Sequence, residues 1–129
     1  MAGKYVLDTS IVVDLLRDVQ AIRSRVGGAL GVCISATVLG ELLYGARRSS
    51  KREQSLQEIE QFLLDCPVLI CDAKTAGFYS LIRAGLAEKG KPIPDNDIWI
   101  AASAMQFGLT LAHRDAHFDL IDALDAERW

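Results

Sequence analysis

Short runs of mainly apolar residues alternate along this chain with longer segments in which apolar residues recur every three or four positions. The short runs predict buried strands, and the longer segments predict amphipathic helices. The tail after residue 117 is short and mixed, and we assign no element to it. Strands are predicted at residues 5–7, 31–34, 67–71 and 109–112, and helices at 11–16, 19–27, 35–46, 53–64, 73–89 and 95–107.

Residues with capping chemistry mark several of the predicted helix ends. Ser35 precedes one helix as an N-cap, the pair Gly27-Gly28 ends another, and Lys89-Gly90-Lys91-Pro92 stops a third. The helix at 95–107 is almost wholly apolar, so we expect it to be buried. Strands that alternate with helices at this spacing predict a parallel sheet covered on both faces. The sequence therefore predicts one three-layer α/β/α domain over residues 1–129, with four to five parallel strands.

The composition is that of an ordinary globular domain. Of the 129 residues, 50% are hydrophobic and 24% are charged, which is close to the average for soluble domains. No apolar run approaches the roughly 18 residues that span a bilayer. Residues 1–8 reach an acid after only three apolar residues, so they lack the apolar core of a secretory signal. We expect a cytoplasmic protein that does not associate with membranes.

The net charge limits how the chain could bind nucleic acid. Fourteen basic and 17 acidic residues give a charge of −3, and the sequence pI is near 5.3. This balance excludes a protein that is held to nucleic acid mainly by its global charge. It leaves room for an enzyme that contacts phosphates through one local patch.

The cysteines indicate a reducing compartment and no zinc site. Cys33, Cys66 and Cys71 are an odd number in mainly apolar surroundings, and we expect buried free thiols. No pair has the CxxC spacing, and the two histidines, His113 and His117, lie far along the chain.

Acidic residues follow or flank several of the predicted elements. Asp8 comes directly after the first strand, Asp115 lies three residues past the fourth, and Asp97 lies in the first turn of the apolar helix. In a parallel sheet, ligands bind beyond the carboxyl ends of the strands. Each residue also has a simpler interpretation: Asp8 as a helix cap, Asp97 as a partner of the helix dipole, and Asp115 as a turn residue.

Glu41 is the fourth candidate acid. It falls beside the apolar stripe of the helix at 35–46, between Gly40 and Gly45. Each glycine costs that helix about 1 kcal/mol relative to alanine. This cost predicts either that another group packs closely there or that the carboxylate needs space beside it. The simpler alternative is an exposed glutamate on a helix that tolerates two glycines.

A divalent cation would explain the four acids together. A doubly wound sheet brings all four positions toward one edge, where carboxylates repel one another unless they are protonated or bridged by a cation. Mg²⁺ prefers carboxylate oxygens and retains water. The residues therefore predict a hard-metal site formed by Asp8, Glu41, Asp97 and Asp115.

At this point the chain resembles a known family. Four segments look like the four motifs of PIN-domain nucleases, and most closely those of the VapC-type toxins of toxin–antitoxin pairs. The resemblance implies an α/β/α sandwich, Mg²⁺- or Mn²⁺-dependent cleavage of RNA, a homodimer and inhibition by a cognate antitoxin. The segments are Leu7-Asp8-Thr9-Ser10, Gly40-Glu41-Leu42-Leu43-Tyr44-Gly45, Asn96-Asp97-Ile98-Trp99-Ile100-Ala101-Ala102 and Arg114-Asp115-Ala116-His117-Phe118.

The resemblance also implies roles for the individual acids. Asp8 and Asp97 match metal ligands, Glu41 matches a residue that holds water or a second ion, and Asp115 is expected to act through water. Asp115 stands where many relatives have Asn, and His113 stands where relatives usually have Thr or Ser. Thr9 and Ser10 are candidates for orienting Asp8 or a phosphate-bound water.

Other residues allow more than one interpretation. Four of the six residues at 47–52 are basic, namely Arg47, Arg48, Lys51 and Arg52, and they either grip RNA phosphates or form a solvated helix end. For His117 we favour a packing or turn role over a role in the site. Four residues are candidates for a dimer interface: Leu81, Ile82, Leu86 and Trp99.

Two other classes of protein share some of these features. A phospho-receiver domain has a parallel sheet and clustered acids, and Asp72 would be its phosphoacceptor. Such domains have an acidic pair after the first strand and a lysine after the last, and both are missing from this sequence. A catalytically degenerate PIN-like module that only binds RNA or protein is the second alternative, which a metal-dependent cleavage assay separates from the nuclease.

Overall fold

The computed structural model describes residues 3–129. Met1 and Ala2, which belong to the predicted domain and to the segment predicted to lack the apolar core of a secretory signal, lie outside the described residues. The helices at 73–89 and 95–107 have the predicted bounds. In chain order the elements are β1 (Lys4–Leu7), α1 (Thr9–Leu16), α2 (Gln20–Gly28), β2 (Gly31–Ser35), α3 (Ala36–Arg47), α4 (Arg52–Leu63), β3 (Val68–Leu69), α5 (Ala73–Lys89), α6 (Asp95–Phe107), β4 (Thr110–His113), a 3₁₀ helix (Ala116–Leu120) and β5 (Ala126–Arg128).

The five strands form one parallel sheet in the order β3-β2-β1-β4-β5. Val6 of β1 is paired with Cys33 of β2 on one side and with Leu111 of β4 on the other. The chain moves outward from β1 to β3 and then crosses back to β4. Right-handed crossovers in these opposite directions place helices on both faces of the sheet. This confirms the predicted α/β architecture. The strand order reverses between β1 and β4, so the carboxyl ends of these two strands flank the reversal point.

The core lies around the two central strands and helix α6. Strands buried on both faces read as apolar runs, and Val6, Leu7 and Leu111 are fully buried. The prediction that α6 is buried is confirmed, because Ile98, Ile100, Ala101, Ala102 and Ala104 are each at most 2% exposed. Ser35 caps α3 as predicted: its hydroxyl accepts a hydrogen bond from the Val38 N–H. The described helices include none that is both long and apolar enough to cross a membrane.

The edge strands differ most from the prediction. β3 covers Val68–Leu69 rather than 67–71, because it pairs only with β2 and ends where that strand ends. Ile70 is 64% exposed, and Cys71 is also exposed, so the prediction that all three thiols are buried is wrong for Cys71. β5 was not predicted, since three residues without apolar alternation give no strand signal.

Candidate active site

All four predicted acids line one pocket at the carboxyl ends of β1 and β4. The pocket has a volume of about 580 Å³, and its wall includes residues that follow two different strands and residues of three helices. The lining residues are Asp8, Thr9, Ser10, Val13, Asp14, Arg17, Glu41, Asp97, Arg114 and Asp115.

Asp8 is the most deeply buried of the four acids, with 7% of its surface exposed. It occupies the N-cap position of α1, yet its side chain makes no capping hydrogen bond, so the interpretation of Asp8 as a helix cap is wrong. Its own N–H donates to the carbonyl of Ala112 at 2.9 Å, which fixes the residue against β4. Burial raises the pKa of Asp8 to about 6, and the carboxylates of Asp97, Glu41 and Asp115 contribute to the rise.

Glu41 faces the pocket rather than solvent. The hydroxyl of Thr9 donates a hydrogen bond of 2.7 Å to Oε1 of Glu41 and so joins the start of α1 to α3. The hydroxyl of Thr9 is therefore engaged with Glu41 rather than with Asp8, and the alternative contact to a phosphate-bound water stays a prediction. A carboxylate held in this way is not the exposed glutamate of the simpler interpretation.

The two glycines beside Glu41 do not accommodate a neighbouring group. A Cβ atom built on Gly40 or Gly45 meets nothing within 4 Å. The prediction that another group of the chain packs closely there is therefore wrong for residues 3–129. That the carboxylate needs the space stays a prediction.

Asp97, Asp115 and His117 form a compact cluster. Nδ1 of His117 lies 2.9 Å from Oδ2 of Asp97 and 3.2 Å from Oδ1 of Asp115. Asp115 also accepts a hydrogen bond from the backbone N–H of His117, which caps the 3₁₀ helix. Burial raises the pKa of Asp97, while the hydrogen bond with His117 opposes that rise. One nitrogen and two carboxylate oxygens within 4.8 Å of one another are a set that could hold a metal ion.

The ring of His117 contacts two of the predicted site acids, which the packing interpretation does not include. The predicted turn role is also present, because its backbone N–H donates to Asp115 at the start of the 3₁₀ helix. The available signal was its position two residues after Asp115 at the start of a short helical turn.

His113 supports the loop that carries Asp115. It is the last residue of β4, it is 2% exposed, and its ring packs edge-on against Phe118 with 5.0 Å between centroids. Its Nδ1 accepts a hydrogen bond from the Asp115 N–H at 3.1 Å. Burial lowers the pKa of His113, so the ring is neutral near neutral pH. It therefore fixes the backbone of Asp115.

Three charged residues of the pocket wall were not predicted. Asp14 and Arg114 form an ion pair, and Arg17 lies on the same wall. The spacing of Ser10, Val13, Asp14 and Arg17 is the signal that could have found Asp14 and Arg17, because positions three, four and seven apart share one face of a helix.

The basic residues Arg47, Arg48, Lys51 and Arg52 are all exposed. The Arg48 guanidinium lies 5.1 Å from the centre of the Tyr44 ring, and Nε of Arg52 donates to the carbonyl of Arg47. Within the described chain, none of the four forms an ion pair with an acid. This arrangement is compatible with both of the predicted roles.

Asp72 has a structural role. It forms a capping box at the start of α5, in which its carboxylate accepts from the N–H groups of Lys74 and Thr75. The side-chain amide of Gln106 donates to the same oxygen, and these hydrogen bonds lower the pKa of Asp72. Asp72 does not line the acidic pocket, which removes the basis for a phosphoacceptor.

Comparison with known proteins gives a consistent result. The PIN domain family model matches residues 5–124. The chain is 38% identical to Ribonuclease VapC2 of Haemophilus influenzae and 36% identical to the tRNA(fMet)-specific endonuclease VapC of Shigella flexneri, with 98% of each chain covered in both cases.

Solved structures agree with these relatives. VapBC2 from Rickettsia felis bound to a promoter DNA fragment has a TM-score of 0.90 at 30% identity, with 98% of both chains covered. DNA-bound VapBC from Salmonella typhimurium has a TM-score of 0.90 at 33% identity, covering 100% of this chain and 99% of that one.

Proposed function

Because the chain belongs to the PIN domain family, as a ribonuclease toxin of the VapC type, we propose that it is a metal-dependent endoribonuclease whose site is the acidic pocket. Asp8, Glu41, Asp97 and Asp115 are its proposed metal ligands, directly or through water. The proposed cation is Mg²⁺ or Mn²⁺. The observation that carries the proposal is the convergence of these four carboxylates, from separate segments, on one pocket.

The charges of the pocket fit a divalent cation. Among residues 3–129, neither Asp8 nor Glu41 forms an ion pair, and His117 is the one basic side chain that reaches Asp97 and Asp115. Burial and mutual repulsion raise the pKa of Asp8 to about 6, which indicates that its negative charge is poorly compensated. Carboxylate oxygens are the ligands that Mg²⁺ and Mn²⁺ prefer.

The chain's own residues hold the ligands in place. The Thr9 hydroxyl fixes one oxygen of Glu41, and His117 fixes one oxygen of Asp97. The backbone N–H of His117 fixes Asp115. When bound, a divalent cation lowers the pKa of water and stabilises negative charge on the phosphate and on the leaving oxygen.

The proposed substrate is RNA. Two of the full-length relatives, from Shigella flexneri and Salmonella typhimurium, are named tRNA(fMet)-specific endonucleases, so tRNA(fMet) is the first substrate to test. The exposed basic segment 47–52, which runs from the end of α3 to the start of α4, supplies positive charge for RNA phosphates beyond the pocket.

We also propose two protein partners. A solved relative from Mycobacterium tuberculosis is a member of the VapBC family of toxin-antitoxin systems, and we propose a cognate antitoxin that covers the acidic pocket. The second partner is another copy of this chain. Of the four predicted interface residues, Ile82 and Leu86 are buried in the core and are therefore excluded. Leu81 is 69% exposed and stays available, whereas Trp99 is partly buried and stacks on Tyr79 at 4.1 Å.

The test is a cleavage assay with purified chain and labelled tRNA(fMet). We expect cleavage with Mg²⁺ or Mn²⁺ and none after chelation. Sequencing the RNA ends formed after brief expression in cells identifies other substrates. Cleavage that is insensitive to chelation would refute the metal site, and no cleavage of any RNA would favour the degenerate module.

A further inference from the structure

Helix α1 presents one face to the core and another to the acidic pocket. Ile11 and Val12 are fully buried, whereas Ser10, Val13, Asp14 and Arg17 line the pocket. These four positions follow the helical spacing of three, four and seven residues. The pocket therefore has a wall that comes from α1 and is separate from the wall that carries Glu41 and Asp97.

Arg114 is held across this wall by Asp14. The two side chains form an ion pair in which the Asp14 side chain is only 19% exposed and that of Arg114 is 40% exposed. The partner oxygen contacts one terminal nitrogen of the guanidinium, NH1. A guanidinium has five N–H donors, so the group keeps donors for another acceptor while Asp14 fixes its position. Arg114 directly precedes Asp115, so this orientation places a fixed positive charge next to a predicted site acid.

Arg17 is the second cation of the wall. It ends α1 at the C-cap position and is exposed. In the part of the chain that the structure describes, its guanidinium makes neither an ion pair nor a side-chain hydrogen bond. Arg17 thus offers a complete donor set at the mouth of a pocket that otherwise carries excess negative charge.

We propose that Arg17 and Arg114 form a phosphate-binding subsite for the RNA backbone beside the acidic centre. The inference rests on the proposed ribonuclease function and adds the residues that position the substrate. Planar guanidiniums bind phosphate oxygens through paired hydrogen bonds. Two of them on one wall offset the repulsion that the carboxylates exert on an incoming strand. Asp14 is a positioning residue, because it acts through Arg114.

The subsite is tested by equilibrium binding of a short, labelled single-stranded RNA. The measurement uses chains that all carry Asp97→Asn, so that it does not depend on cleavage. Arg17→Gln should weaken binding about tenfold, equally for RNAs of different sequence. It should also reduce the steepness of the fall in log affinity with log salt by about 0.7, because one phosphate contact is lost. Arg23→Gln is the matched control, because Arg23 is exposed, pairs with Asp18 and does not line the pocket.

Arg114 needs a second design, because its removal leaves Asp14 without its partner. Arg114→Lys keeps the charge but loses the paired geometry, and it should weaken RNA binding several-fold with an unchanged salt slope. Thermal melting checks that this variant is folded. An Arg17→Gln slope equal to that of Arg23→Gln, together with full binding by folded Arg114→Lys, would overturn the subsite.

A parallel cleavage assay on chains with Asp97 intact separates this inference from the proposed function. Failure of the parent chain to cleave RNA would refute the ribonuclease, whereas the salt slope would still report whether the two arginines contact phosphate. Conversely, a chain that cleaves RNA but shows no effect of Arg17→Gln retains its function and lacks the subsite.

Discussion

The ring nitrogen Nδ1 of His117 lies 2.9 Å from Oδ2 of Asp97, although the two residues are 20 positions apart in the chain. The contact joins the first turn of α6 to the 3₁₀ helix after β4. It engages Oδ2 of Asp97, a residue that lines the acidic pocket. His117 therefore orients a proposed metal ligand, in the way that outer hydrogen bonds orient ligands in metal sites.

We predict that His117→Ala weakens metal binding. Loss of a group that orients a ligand usually lowers metal affinity by about 10- to 100-fold, and we expect a change in that range for Mn²⁺ measured by calorimetry. His117→Gln is the matched variant, because its amide can donate to Asp97 and should restore part of the affinity. Equal Mn²⁺ affinity in the wild type and His117→Ala would show that the contact has no role in the site.

Asp97→Asn should abolish RNA cleavage and leave the fold intact, because it removes a charged ligand at nearly constant shape. Saturating Mn²⁺ should raise the Tm of the wild type, since a ligand at about 100 times its Kd stabilises the folded state by about 2.7 kcal/mol. The variant should lose most of this shift. Circular dichroism confirms folding, and full cleavage by Asp97→Asn would contradict the proposed site.

Asp8→Asn should stabilise the metal-free protein at neutral pH. The pKa of Asp8 is raised from 3.8 to about 6 on folding, so the folded chain binds the proton more tightly than the unfolded chain does. The contribution of Asp8 to the free energy of unfolding therefore falls as the pH rises from about 4 to 6.

Above about pH 6 the ionised Asp8 lowers the free energy of unfolding by about 3 kcal/mol, which corresponds to its rise in pKa from 3.8 to about 6. Urea unfolding of both proteins in chelator measures it. The variant should be more stable near pH 7, and the difference should disappear near pH 4. A variant that is less stable than the wild type at pH 7 would show that the Asp8 carboxylate is compensated within the chain.

Replacing Arg47, Arg48, Lys51 and Arg52 with Ser should weaken RNA binding and reduce its salt dependence, because fewer counterions are released. Cleavage at saturating RNA should change less than binding. Lys4→Ser is the control, since Lys4 is exposed at the opposite end of β1 from Asp8. If the salt slope stays the same, this segment is a solvated helix end.

One of the three thiols should react rapidly in the native protein. Cys71 is exposed, whereas Cys33 and Cys66 are buried, and burial raises the pKa of Cys33 and raises that of Cys66 to about 12. Titration with a disulfide reagent should therefore modify Cys71 first and the other two only after unfolding. The variant Cys71→Ser, which should show no fast phase, identifies the residue.

The fold was largely predictable because its signals are local. The bounds of α5 and α6 follow from apolar periodicity and from stop chemistry such as Gly90, which adopts a left-handed conformation with φ 66°. The strands near the centre of the sheet could be predicted from their apolar runs. β5 was not predictable in the same way, because its three residues become a strand only through hydrogen bonds to β4.

The sequence by itself determined the types of residue in the site, the four acids and the end of the sheet where they belong. Only the tertiary structure decided which side chains touch. It paired Thr9 with Glu41, brought His117 to Asp97, and placed Arg114 on Asp14. The physical reason is that secondary structure follows from periodicity and capping within a few residues, whereas a contact between distant residues depends on how helices and strands pack around a shared core.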